Sequence, residues 1–124
     1  MKIFIAFLCS LLFAVSAWAG EQAYDKAAFD KALAAGGPVI VDFFAGWCPT
    51  CKAQKPQVQA LLAEPKMKGV TLFIADYDKE KDLKKDLRVS KQATFVVFKG
   101  GKEVGRSTGQ TKKEDLAALF GKAL

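Results

Sequence analysis

The sequence predicts a small layered domain of the α/β class, and two patterns along the chain carry that prediction. A run of apolar and β-branched residues at 39–45, which contains only one polar residue, is typical of a strand buried on both faces, as in a parallel sheet flanked by helices. Segments with helical spacing of apolar residues alternate with this run and with a second one at 70–75. The 124 residues contain no repeat and no low-complexity linker, which indicates a single domain with one modest core.

Turn and cap signals divide the chain into elements in the order α-β-α-β-α-β-β-α. Two glycines and Pro38 end the first helix, and Pro49 stands at the first position of the second helix, which proline favours. Pro56 lies inside the second helix and should kink it, because it removes a hydrogen bond to the carbonyl of Lys52. The predicted elements are a helix before 36, a strand at 39–45, a helix at 48–64, a strand at 70–75, a helix at 79–87, hairpin strands at 94–99 and 102–107 turning at Gly100-Gly101, and a last helix that opens with a capping box at 111–114.

The N-terminal segment has the three parts of a secretory signal peptide. Lys2 gives a positive start, residues 3–15 are apolar, and Ala17-Trp18-Ala19 has the small-x-small form of a cleavage site. We therefore expect residues 1–19 to be removed and residues 20–124 to form an exported domain in the periplasm of a bacterium. An uncleaved N-terminal anchor is the alternative, although the apolar stretch is short for a bilayer span.

Charge and composition exclude several kinds of function. The formal charge is +6, but the lysines mix with acids at 76–91 and are not interleaved with stacking aromatics, so we expect no nucleic-acid partner. The chain contains no histidine, which excludes imidazole catalysis and His-ligated metals. We expect the domain to be a monomer.

The segment Cys48-Pro49-Thr50-Cys51 carries the chemistry, since no other cysteine remains once the signal peptide is removed. Cys48 is predicted at the N-cap of a helix, where unpaired N–H groups and the positive end of the helix dipole stabilise a thiolate. Cys51 lies one turn further on, where it should be more deeply buried. Cys48 is therefore expected to attack a disulfide, and Cys51 to resolve the mixed disulfide that forms.

Three kinds of site are compatible with this spacing. A static disulfide between Cys48 and Cys51 would close a very short loop and remove little entropy from the unfolded chain. A zinc or iron–sulfur site needs about four ligands, which this chain could supply only by sharing a cluster across a dimer. Redox cycling of the pair is the interpretation that we favour, with no separate cofactor and no metal.

The stretch VIVDFFAGWCPTCK, followed by Pro56 in the next helix, resembles the active-site strand and helix of the thioredoxin family. The segment FVVFKGGKEVGRSTG is similar to the terminal hairpin of that family, with Gly101 in the turn and Gly109 before the last helix. The resemblance implies a thioredoxin-like α/β fold with a central mixed four-stranded sheet, the strand at 70–75 at one edge, and helices on both faces. The first strand of the family is expected to be shortened or missing. The implied activity is that of a thiol–disulfide oxidoreductase acting on protein disulfides.

Asp42 and the residues beside the cysteines are further candidates for the site. A carboxylate within a run of Val, Ile and Phe is costly to bury, and desolvation should raise its pKa. The matching position of thioredoxins implies that Asp42 exchanges protons with the resolving thiol through water; the alternative is that it only caps or pairs with a lysine. The resemblance also implies that Trp47 packs beside the attacking thiol and that Pro49 and Thr50 help to bind the substrate.

The chain departs from the family at the loop that faces the cysteines. Ala93 stands where thioredoxins have a cis-proline, after Gln92, whose backbone would pair with the substrate chain. A cis bond before a non-proline residue costs about 2.5–4 kcal/mol, so we predict a trans Gln92–Ala93 bond and a locally rearranged loop. Without the pyrrolidine ring, the two sulfurs should be less shielded and more open to adventitious metal.

The direction of electron flow is predicted from the dipeptide between the cysteines. Pro49-Thr50 resembles the pair of exported reductants that serve cytochrome c maturation, whereas strong oxidants of the family more typically carry a histidine there. We therefore favour reduction of protein disulfides, with a membrane-embedded thiol donor upstream. The alternatives are a disulfide oxidase or isomerase of the same fold, and a non-catalytic binding module in which Ala93 marks lost catalysis.

Overall fold

The computed structural model describes residues 20–124, so the predicted signal peptide at 1–19 lies outside the described residues. The strands are Gly20–Ala23 (β1), Val39–Phe44 (β2), Thr71–Asp76 (β3), Thr94–Lys99 (β4) and Lys102–Thr108 (β5). The helices are Lys26–Ala34 (α1), Pro49–Leu62 (α2), Lys81–Leu87 (α3) and Lys113–Gly121 (α4), and a 3₁₀ turn, Pro65–Met67, follows α2. No helix in this part of the chain has the length and apolar character needed to cross a membrane.

The strands form one mixed sheet in the order β1-β3-β2-β4-β5. Strands β1, β3 and β2 run parallel, whereas β4 is antiparallel to both of its neighbours. The predicted α/β architecture with a mixed central sheet is therefore confirmed. The prediction of four strands is wrong, because β1 adds a fifth strand at the edge beside β3.

Strand β1 forms through its backbone rather than through its side chains. Its sequence, GEQA, is short and polar and lacks the β-branched and aromatic residues that favour strands. The amide of Gly20 donates to the carbonyl of Val70 at 3.2 Å, and the amide of Tyr24 donates to the carbonyl of Ile74 at 2.8 Å. The Tyr24 ring also packs on Phe73, which anchors the end of the strand against the sheet.

Helices cover both faces of the sheet, as predicted. Alternate residues of the central strands point to opposite faces, so each strand contributes to two separate halves of the core. On the face covered by α2 and α4, the buried residues include Ile40, Leu72, Phe95, Val58, Leu61 and Phe120. On the face covered by α1 and α3, they include Val41, Phe43, Phe73, Val96, Phe29 and Leu83.

The topology brings several connections together at one end of the sheet, which we call the cysteine end. Strand β2 ends at Phe44, directly before the loop that leads into α2. Strand β4 begins there, with Thr94 opposite Phe43, and β5 ends there, with Thr108 opposite Thr94. Because β3 is parallel to β2, the loop after β3 also lies at the cysteine end.

Two predictions about element ends have different outcomes. The hairpin turn at Gly100 and Gly101 is confirmed, and φ values of 60° and 76° explain why glycine stands at both positions. The capping box predicted for the last helix is wrong, since α4 begins after Lys112 and that residue makes no side-chain cap bond. Pro56 lies inside α2, as predicted.

Candidate active site

Cys48 is the N-cap of α2, as the sequence predicts. Its backbone is extended, with φ −91° and ψ 111°, and Pro49 occupies the first helical position. The Cys48 Sγ accepts a hydrogen bond from the amide of Cys51 at 3.1 Å, so the sulfur takes the place of a capping side-chain oxygen. The sulfur therefore lies at the positive end of the helix dipole of α2.

The two cysteines are free thiols and are buried to the same extent, with 1% of each residue exposed. The prediction that Cys51 is the more deeply buried of the two is therefore wrong. The prediction that Ala93 leaves the sulfurs less shielded is wrong as well. Ala93 packs with both cysteines and with Ala45 in one small apolar cluster, so its loop covers the sulfurs without a proline ring.

A raised pKa distinguishes Cys51 from an ordinary thiol. Burial, together with a hydrogen bond to Cys48 and the charge of that residue, raises the pKa of Cys51 to about 11, although backbone groups of Ala45 and Ala93 act in the opposite direction. Cys51 is therefore a protonated thiol at neutral pH. Covalent capture of a substrate by Cys48 would remove two of the causes that hold this proton in place.

Asp42 lies in β2 two residues after Ile40, and residues two apart in a strand point to the same face of the sheet. Its side chain is therefore on the face covered by α2, where Ile40 is buried. It is 8% exposed, and its Oδ1 atom has no hydrogen-bond partner among the described residues. Burial raises the pKa of Asp42 to about 7, the like charge of Glu21 in β1 adds to the rise, and Lys55 opposes it. Within residues 20–124 the carboxyl forms neither an ion pair with a lysine nor a hydrogen bond with a cysteine, so proton exchange with Cys51 stays a prediction.

Trp47 lies at the surface beside the loop that leads into α2. The residue is 57% exposed, and its Nε1 donates to Oδ2 of Asp78 at 2.7 Å. Asp78 belongs to the turn after β3, where its amide donates to Oδ1 of Asp76 at 2.9 Å. The indole is therefore held at the rim of the cysteine end with an open apolar face, which suits contact with a partner molecule.

The loop that carries Ala93 agrees with the prediction for it. The Gln92–Ala93 bond is trans, as no cis peptide bond occurs in residues 20–124. The loop is rearranged, since Ala93 has φ 58°, a left-handed conformation that costs an L-residue about 1–2 kcal/mol. Two hydrogen bonds between backbone groups hold it: the Ala93 amide donates to the carbonyl of Phe43 at 2.9 Å, and the Gly109 amide donates to the carbonyl of Ala93 at 3.0 Å.

Gln54 is a residue of the site that the sequence patterns do not reveal. It lies in α2, three residues after Cys51 and thus on the same helix face, and it is 1% exposed. Its Nε2 donates to the carbonyl of Ala93 at 3.3 Å and to the carbonyl of Gln110 at 2.8 Å. It therefore ties the helix that carries the cysteines to two loops of the cysteine end. The spacing from Cys51 is the only hint of this in the polar stretch CKAQKPQ.

The remaining residues predicted to bind substrate adjoin the cysteines or Ala93 along the chain. Pro49 is exposed at the start of α2, whereas Thr50 and Gln92 are half-buried. Residues 20–124 hold no group of three or more histidine, cysteine, aspartate or glutamate side chains that could bind a metal ion.

A protonated thiol beside a sulfur at a helix N-terminus is an arrangement for exchanging disulfide bonds. On a mixed sheet covered by helices on both faces, it defines a thiol–disulfide oxidoreductase of thioredoxin-like fold. The family model described as thioredoxin matches residues 21–122, and the chain belongs to the thioredoxin family.

Individual thioredoxins are similar over most of the domain. The thioredoxin of Chlamydia trachomatis is 41% identical over 88 residues, which cover 71% of this chain and 84% of that protein. The thioredoxin of Oryctolagus cuniculus is 37% identical over 106 residues, which cover 84% of this chain and 98% of that protein. Among solved structures, Trxlp from Edwardsiella tarda has a TM-score of 0.80 at 37% identity and covers 82% of this chain and 98% of its own.

Replacing Gln54 by leucine is expected to lower the free energy of unfolding by about 1–2 kcal/mol, because the carbonyl of Gln110 loses its donor and that of Ala93 loses one of two. Urea denaturation followed by circular dichroism measures the change. Hydrogen exchange at the Gly109 amide should also accelerate, since the loop is no longer tied to α2. The matched control is Gln59→Leu on the exposed side of the same helix, and equal effects of the two substitutions would contradict the role of Gln54.

The raised pKa of Asp42 predicts how the stability of the fold depends on pH. The carboxyl has a pKa of 3.8 in its ordinary state and about 7 in the fold, so the folded state binds the proton more tightly between these values. The free energy of unfolding should therefore fall as the pH rises from about 4 to about 7 and then level off. Asp42→Asn should remove this slope and be more stable than the native protein above pH 7, as measured by urea denaturation across a pH series.

Two further variants test the cause of this slope. Asp86→Asn removes an exposed carboxyl and should leave the slope in place. Glu21→Gln removes a charge that raises the pKa of Asp42, so the upper end of the slope should move to lower pH. If the free energy of unfolding of Asp42→Asn depended on pH as that of the native protein does, Asp42 would not be the cause of the slope.

Proposed function

We propose that this protein is exported and that it reduces disulfide bonds of other proteins. The observation that carries the proposal is a pair of unlike thiols, with Cys48 at the N-terminus of α2 and Cys51 protonated, with a pKa of about 11. One sulfur is ready to attack, and the other keeps its proton until it is needed.

In the first step, the Cys48 thiolate attacks one sulfur of a substrate disulfide. A bond forms between Cys48 Sγ and that sulfur, the substrate S–S bond breaks, and the other substrate sulfur leaves as a thiolate that takes a proton from solvent. The negative charge thereby leaves Cys48. Because that charge and the hydrogen bond to Cys48 both raise the pKa of Cys51, the proton of Cys51 becomes easier to remove.

In the second step, Asp42 accepts the proton of Cys51 through an intervening water. A carboxyl group with a pKa of about 7 is partly ionised at neutral pH, so it can take a proton and return it to solvent. The Cys51 thiolate attacks Cys48 Sγ, which forms the Cys48–Cys51 disulfide and releases the second substrate thiolate. Two electrons pass from the cysteine pair to the substrate, which ends as two thiols.

The substrate chain would lie across the rim of the cysteine end. Trp47 and Pro49 are exposed there, and Thr50 lies half-buried beside them. The amide and carbonyl of Ala93 are both engaged within the fold, whereas those of Gln92 have no partner among the described residues. The backbone of Gln92 is thus free to pair with an extended substrate segment.

Export and the direction of electron flow rest on the sequence. The signal-peptide pattern of residues 1–19 supports export, and the Pro49-Thr50 pair supports reduction. A reductase in an oxidising compartment needs a supply of electrons, for which we propose a membrane-embedded thiol donor. That donor would reduce the Cys48–Cys51 disulfide after each turnover, so a monomer with no cofactor suffices.

Turnover of a protein disulfide with dithiothreitol as the electron supply tests the reaction. Cys48→Ser should abolish turnover, because the attacking sulfur is gone. Cys51→Ser, reduced beforehand and mixed with the substrate in the absence of dithiothreitol, should instead accumulate a mixed disulfide, which intact-mass measurement detects. Ala53→Ser, on the exposed side of α2, is the control and should react like the native protein. Equal rates for the native protein and Cys48→Ser would favour the non-catalytic binding module.

Export and direction can be tested together in a bacterium that expresses the full chain. Cell fractionation followed by intact-mass measurement should find the protein outside the cytoplasm and lacking residues 1–19. Alkylation of thiols at the moment of lysis should find the pair mostly reduced. A mostly oxidised pair would indicate a disulfide oxidase instead, and retention of residues 1–19 would indicate an uncleaved anchor.

A further inference from the structure

A cavity of about 350 Å³ lies between the end of α3 and the hairpin. Its walls carry three basic side chains, those of Arg88, Lys91 and Arg106, and hydroxyl groups of Ser90, Thr94 and Thr108. Among residues 20–124, no aspartate or glutamate lines it. Since β4 begins and β5 ends at the cysteine end, the cavity lies at that same end of the sheet.

Arg106 builds the wall of this cavity. Its guanidinium donates to the carbonyl of Leu87 at 2.9 Å and to the carbonyl of Arg88 at 3.3 Å, which fixes the end of α3 against β5. It also pairs with Glu103, so its charge is compensated within the fold. Thr94 contributes in a similar way, because its hydroxyl donates to the carbonyl of Lys91 at 2.8 Å.

The charges of Arg88 and Lys91 are not compensated in this way. Within residues 20–124 neither side chain forms an ion pair. Arg88 has φ 54° at the left-handed position after α3, where glycine is the usual residue. If this position served only to end the helix, glycine would adopt the left-handed backbone with less strain than arginine does. Two uncompensated cations at one cavity create a positive potential that attracts an anion.

The cavity shares a wall with the loop along which the substrate is proposed to lie. Lys91 directly precedes Gln92, and Ala93 packs against the cysteines. Tyr77 packs against the same cysteine cluster and donates its hydroxyl to the carbonyl of Ser90 at 3.0 Å. A polypeptide that pairs with Gln92 therefore passes beside the cavity.

We propose that this cavity binds a carboxylate side chain of the substrate polypeptide, so that the protein prefers disulfides flanked by acidic residues. The inference rests on the proposed function, because it requires the substrate chain to lie along Gln92. A guanidinium binds a carboxylate through two parallel N–H donors, and the Lys91 ammonium adds a mobile charge beside it. Free phosphate shares this chemistry, so the experiment has to separate the two sources.

Two disulfide-bonded peptides that differ only in having glutamates or glutamines beside the cysteines provide the test. The native protein should have a lower KM for the glutamate peptide, and added salt should reduce the difference. In the double variant Arg88→Gln/Lys91→Gln, KM for the glutamate peptide should rise about fivefold while kcat and the KM for the glutamine peptide stay unchanged. The control Lys68→Gln/Lys102→Gln removes the same charge at the opposite end of the sheet and should behave as the native protein does.

The possible outcomes distinguish a failure of the cavity proposal from a failure of the proposed function. If the native protein reduces neither peptide, the proposed function fails. If it reduces both with equal KM, or if the control pair loses as much preference as the cavity pair, only the assignment of the cavity is overturned. Competition by inorganic phosphate in a native protein that shows no preference between the peptides would identify a free anion as the occupant instead.

Discussion

The hydrogen bond from the Cys51 amide to the Cys48 sulfur is the contact on which the site depends. It arises because α2 begins a few residues after the buried strand β2, so the end of the strand delivers a sulfur to the mouth of the helix. The same geometry couples the two thiols, since the charge held on Cys48 helps to keep the proton on Cys51. A cap that in other helices only satisfies an N–H group here also holds the sulfur of Cys48 beside Cys51.

A second set of contacts makes the loops of the cysteine end a single unit with that helix. Ala93 adopts a costly backbone conformation, which persists because its neighbours fix both of its polar groups. One of those neighbours is Gln54, which belongs to the same helix as the cysteines. The side chain of Gln54 therefore links α2 to the loop that covers the sulfurs. Burial of the pair and position of the loop are two aspects of one packing arrangement.

Local patterns explain most of what could be predicted. The apolar runs located the central strands to within one residue, and the cysteine spacing located the helix cap. Strand β1 was not predicted, because hydrogen bonds of its backbone form it and its side chains give no strand pattern. The effect of Glu21, which lies in that strand, on the pKa of Asp42 was therefore not predicted either. Gln54 was not predicted because its hydrogen-bond partners lie 39 and 56 residues away in the sequence. The equal burial of the cysteines depends on how the Ala93 loop folds, which no local pattern encodes.

The backbone of Ala93 also limits which residue this position can accept. Proline requires φ near −65° and has no amide hydrogen, whereas Ala93 has φ 58° and uses its amide to bond Phe43. A single codon change to proline would strain the backbone and remove that bond in the same event. Proline at position 93 therefore requires the loop to adopt another backbone conformation and leaves the carbonyl of Phe43 in need of another donor.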